Sequence, residues 1–171
     1  YFYENHFKDS GNNYSHSFIW AGSLDGMGAQ YAPKQDKDWE LLITKINQLI
    51  DKYHSATMGN TVVNIGENKP IQRYFYLDVE DPKSYLVAFN KYQKYRPKDR
   101  QVLLGDFSAG RSPDGETHWI IIGFDDMKSA MDAGAYRRNN TQAQKAWDEY
   151  GKNRGETRLV RSGLRIMLGN W

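Results

Sequence analysis

Apolar residues recur along this chain in two rhythms, one of period two and one of period near 3.6. Ile71, Arg73, Phe75, Leu77 and Val79 alternate with Gln72, Tyr74, Tyr76 and Asp78, which predicts a half-buried strand over 71–79. Asp81-Pro82 follows, an N-cap residue and then proline at the first helical position. Tyr85, Ala88, Phe89 and Tyr92 continue at helical spacing, and Pro97 is expected to stop this helix. Residues 101–107 read as a strand, the Gly- and Pro-bearing loop 110–115 turns the chain, and 117–124 is a third strand. Asp125 or Asp126 caps the next helix. Its stripe of Met127, Ala130, Met131 and Gly134 meets a polar run at 137–141, placed to interrupt it, and resumes at Ala143, Trp147 and Tyr150. Residues 157–168 form the last strand, with Gly163 as the expected bulge. The order β-α-β-β-α-β is that of a ferredoxin-like unit.

The first part of the chain repeats the later half of that order. Ser15-His16 leads an apolar run to Gly22, as Thr117-His118 leads one to Phe124, each after a polar, Gly-containing loop (9–13 and 110–115). Internal repeats bear on architecture before anything else. Residues 1–7 would be a second strand and 16–22 a third. Trp39, Leu42, Ile43, Ile46, Leu49, Ile50 and Tyr53 form an unbroken helical stripe over 38–53, and 60–66 closes as a strand. Burial of that stripe is expected, so that Ile46→Asp would disrupt folding. The chain therefore divides into a partial unit, 1–69 (β-β-α-β), and a complete unit, 70–171. The first lacks an opening strand and helix, and the chain begins with Tyr1, so it is expected to be a processed product or part of a longer one.

The element order, the run Thr-His-Trp-Ile-Ile-Ile-Gly-Phe at 117–124 and the helix start Asp-Asp-Met-Lys-Ser-Ala-Met at 125–131 resemble the dimeric α/β-barrel superfamily. That superfamily includes antibiotic-biosynthesis-type monooxygenases and small stress-responsive proteins. The resemblance implies an α+β fold of tandem ferredoxin-like units whose antiparallel sheets pack face to face as an α/β barrel, with any ligand between them. It implies no single chemistry, because such a fold hosts enzymes and non-enzymes alike.

Composition narrows the chemistry. Aromatic content of 14% excludes a disordered chain, and a net charge of +2 gives no electrostatic case for nucleic acid. There is no cysteine, so disulfides, thiolate metal sites and Cys nucleophiles are excluded. No apolar run approaches the roughly 20 residues of a membrane helix. Compartment stays open between cytoplasmic and exported. Alternation puts Tyr74 and Tyr76 on one strand face, and Arg161 and Arg165 with Leu159 and Met167 on one face of the last strand. Arg158 falls opposite, as do Val160, Leu164, Ile166 and Leu168. Tyr74, Tyr76, Arg161 and Arg165, with His118 as a proton carrier, are the candidate ligand-binding residues, suited to a small anionic or aromatic molecule. The plainer account of both His16 and His118 is a strand-start residue that hydrogen-bonds the preceding loop. Asp78, Glu80 and Asp81 cluster, but Asp81 already serves as a cap. No metal helix, phosphate loop or nucleophile elbow occurs, and no cofactor or metal is expected. The favoured reading is a non-catalytic binding or assembly module, a homo-oligomer with unpaired sheet edges to cover. The alternative is a cofactor-independent monooxygenase-like enzyme.

Overall fold

The computed structural model describes residues 1–10, 13–31, 37–110 and 114–171. Parts of both predicted polar loops, 11–12 and 111–113, lie outside them. Seven strands make one curled antiparallel sheet. They are β1 (Phe2–Lys8), β2 (His16–Phe18), β3 (Met58–Ile65), β4 (Ile71–Val79), β5 (Gln101–Ala109), β6 (His118–Phe124) and β7 (Thr157–Gly169), in the order β2-β1-β7-β4-β6-β5-β3.

The later part of the chain carries the core. Helix α3 (Pro82–Gln93) starts where expected, with Asp81 Oδ1 accepting from the backbone N–H groups of Lys83 and Ser84. It ends at Gln93, and turn bonds from Tyr95 N–H to Tyr92 O and from Arg96 N–H to Gln93 O carry the chain on to Pro97. The stripe predicted after Asp126 breaks into three helices, α4 (Met127–Met131), α5 (Ala135–Arg138) and α6 (Thr141–Asn153). Asp126 caps α4 and Asn140 caps α6. Tyr85, Ala88, Phe89 and Tyr92 of α3 and Ala146 and Tyr150 of α6 pack on Leu77, Val79, Val102, Leu104 and Ile120 of the sheet. The hydroxyls of Tyr150 and Tyr85 meet at 2.7 Å, so two buried phenols satisfy one another.

The first 69 residues do not build a second sheet. Their strands join the outer ends of the same one: β1 and β2 beside β7, β3 beside β5. Residues 16–18 form a short edge strand paired only to β1, whereas 118–124 lies centrally between β4 and β5. The expected equivalence of the two His-led strands thus ends at local geometry. In each, the histidine Nδ1 meets the hydroxyl before it, Ser15 at 2.9 Å and Thr117 at 2.8 Å. Two helices precede β3, α1 (Leu24–Gln30) and α2 (Lys37–Leu49), and neither buries a residue. The predicted helix 38–53 ends at Leu49, so Ile50 and Tyr53 fall outside α2, and the stripe that remains stays half-exposed or exposed, with Leu42 44% and Leu49 86% accessible. Trp39 meets Trp20 edge-on rather than entering a core.

One further expectation is corrected in β7. Gly163 sits in register opposite Tyr74, and the irregularity falls at Val160, between the Tyr76–Arg161 and Leu77–Leu159 pairs. An extra residue there resets the alternation. Arg158 therefore pairs with Asp78 on the same face as Arg161 and Arg165, and Leu159 moves to the helix side opposite Leu77.

Candidate functional site

The sheet face away from the helices is built by parity. Gln72, Tyr74, Tyr76 and Asp78 alternate on β4, and Arg165, Gly163, Arg161 and Arg158 stand opposite them on β7. Tyr3 and Asn5 of β1 extend the row past β7. Four of the five candidate residues, Tyr74, Tyr76, Arg161 and Arg165, thus share one face. The fifth does not. His118 pairs with Leu77 and its ring lies 6.1 Å from that of Tyr85, on the helix side. There it binds the Thr117 hydroxyl, which also accepts from Val79 N–H at 2.9 Å. This is the loop-fixing role that the sequence offers as its plainer account.

Space for the large rings comes from glycine. A Cβ at Gly163 would lie 2.3 Å from Tyr74 Oη, and one at Gly105 would lie 2.1 Å from Trp119 Cζ2. Both glycines are direct cross-strand partners of the ring they accommodate.

Two polar clusters occupy the face. In the first, Arg165 donates through Nε and Nη2 to Gln72 Oε1 at 3.0 and 2.8 Å. Gln72 passes the chain on to Gln101 Oε1 at 3.1 Å and Asn68 Oδ1 at 3.0 Å. The Arg165 guanidinium also lies 4.2 Å from the centroid of Tyr3. In the second, Arg161 Nη2 donates to Glu116 Oε1 at 2.5 Å, and Nη1 meets His54 Nε2 at 3.0 Å. The guanidinium stands over the Tyr76 ring at 5.4 Å, and Tyr14 reaches both His54 and Tyr76. Burial pushes the Tyr76 hydroxyl up to about 12, so it holds its proton at neutral pH and serves as a hydrogen-bonding group, not a base. Burial also raises the Tyr3 hydroxyl, against the opposing pull of Arg165.

Each cluster is largely self-satisfying. An anionic ligand at Arg161 would compete with a carboxylate 1% exposed and already in place. Glu116, His54 and Tyr14 carry no sequence signal for this role, since loop residues have no periodicity. Gln72 does: it shares the parity of Tyr74 and Tyr76. At one end of β4 and β7, Asp78, Glu80, Glu156, Thr157 and Arg158 line an open cleft of about 410 Å³. Arg158 neutralises Asp78 there at 3.2 Å. Among the described residues no group of acids and histidines is placed to hold a metal ion, and no helix is long and apolar enough to cross a membrane. No protein-family model, curated protein or solved structure matches this chain.

Proposed function

We propose that the chain is a non-catalytic assembly module that pairs with a second copy of itself along the outer edge of β3. The observation that carries this reading is the character of that edge. Strand β3 runs eight residues, Met-Gly-Asn-Thr-Val-Val-Asn-Ile, and contains neither charge nor proline. Natural sheets protect open edges with such residues or with bulges; β3 has only a bulge at Val62, so its neutral edge still offers a template for another strand. An identical edge fits it best. All six pairings in the sheet are antiparallel, a two-fold axis beside β3 would make a seventh of the same kind, and no like charges would oppose one another. The other edge, β2, is three residues long and offers little to pair. On this reading residues 70–171 are a ferredoxin-like unit, consistent with the order β7-β4-β6-β5. Residues 1–69 widen its sheet.

The enzymatic alternative draws less support. Arg161 and Arg165 already donate to Glu116 and Gln72, and His118 lies across the sheet from them. Sedimentation velocity over a concentration series tests the proposal. The wild type should shift from monomer to dimer, and Val62→Lys, at a position 45% exposed, should stay monomeric with an unchanged melting temperature. A wild type that remains monomeric throughout, or a Val62→Lys variant that dimerises equally, would refute it.

A further inference from the structure

Residues 50–57 join α2 to β3 without regular structure, and 51–57 are exposed throughout. Among the described residues, His54 makes this segment's only side-chain hydrogen bond to the sheet, Nε2 to Arg161 Nη1 of β7 at 3.0 Å. Its ring also lies 4.8 Å from that of Tyr14, which reaches Tyr76 on β4. Closer to β3, Ala56 O comes so near Gly110, just after β5, that a Cβ there would lie 2.0 Å away. On the other side of His54 stands α2, which buries no residue. His54 thus ties a lightly held arm to the Arg161 cluster.

An arginine only donates, and it keeps its charge across the ordinary pH range. His54 Nε2 must therefore supply a lone pair, which only the neutral imidazole has. Protonation removes that lone pair and sets a second cation 3.0 Å from the guanidinium. Histidine is the side chain that changes charge between about pH 5 and 8. Arg161 faces the ring from β7 and Tyr14 from the segment before β2. Behind them stand Tyr76 and Glu116, and Glu116 already accepts from Arg161 Nη2. On its own segment Asp51 and Lys52 cancel in charge. We propose that His54 is a pH-operated latch. Neutral, it holds segment 50–55 against Arg161; protonated, it lets that segment and α2 swing about 56–57 and bare Arg161 and Tyr76. The latch works within one chain and does not depend on the assembly reading.

The mobility of a spin label tests this, and a chain without cysteine takes a single label cleanly. On Ser55→Cys the label should move slowly at about pH 8 and lose that slow component at about pH 5, where loop motion of nanoseconds takes over. Adding His54→Gln, whose Oε1 accepts from Arg161 at either pH, should keep the slow component at both. His6, His16 and His118 remain in that variant, so its difference from the parent isolates His54. A label on Glu149→Cys of α6 should move alike at the two pH values, which shows that the body stays folded. Equal motion of the Ser55→Cys label at both pH values, or acid release that persists with His54→Gln, would overturn the latch.

Discussion

Glycine does as much as any large side chain to shape the polar face. Gly163 faces Tyr74, and a methyl group there would collide with the phenol oxygen and with Phe7 O at 2.6 Å. Gly163→Ala is expected to cost about 1–3 kcal/mol, as overpacking does. The cost should fall in a Tyr74→Ser background, where the ring is gone. Urea unfolding of the two single variants and the double variant measures that coupling. Asp81 shows a side chain acting through its charge. The Ser84 hydroxyl, and then the Ser84 backbone N–H, hold its carboxyl below the usual carboxylate range. A folded value below the unfolded one means that its contribution is complete above about pH 4 and fades as pH falls through the lower folded value. Asp81→Asn keeps the cap at neutral pH, so it should change the melting temperature little at pH 7 and flatten its decline in acid. An unaltered acid decline would contradict the assignment.

Two helices that each carry an apolar stripe meet different fates here. Helix α3 seals Phe89 completely, whereas α2 leaves Ile46 only half-covered. Phe89→Ala should therefore cost about 3–5 kcal/mol. Ile46→Asp should cost less than about 1 kcal/mol, contrary to what its stripe alone suggests. Chemical denaturation separates the two, and a large loss in Ile46→Asp would place α2 in the core after all. This contrast marks how far the sequence could be read. Period and capping residues located β4, α3, β5, β6 and β7 because each signal is local to its element. They could not say what α2 packs against, since a stripe records an apolar face and not its partner. Nor could they place the Val160 bulge, which moved Arg158 and Leu159 to faces opposite those expected from simple alternation. The tyrosine and arginine members of the candidate site were legible through parity on β4 and β7. Their partners Glu116 and His54 were not, because tertiary contact alone brings those loop residues in. Glu116→Gln should cost about 3–5 kcal/mol by stranding Arg161, and replacing both members with apolar residues should recover much of the loss in the same unfolding assay.

Across the molecule, burial is lopsided. Among the described residues before Ile71, only Tyr3 and Asn5 are buried, while the core lies almost wholly within residues 71–171. The early strands lengthen a sheet that the later part already holds, and they leave Met58, Val62 and Ile65 exposed along β3. The bulge at Val62 limits how long a regular run that strand can offer, so pairing through it should be weak and depend on concentration. Amide hydrogen exchange over residues 58–65 at increasing protein concentration reads this edge directly. Pairing between copies predicts that protection in this segment rises with concentration while protection in β4 and β6 stays constant. Exchange in 58–65 that is the same at every concentration would contradict it.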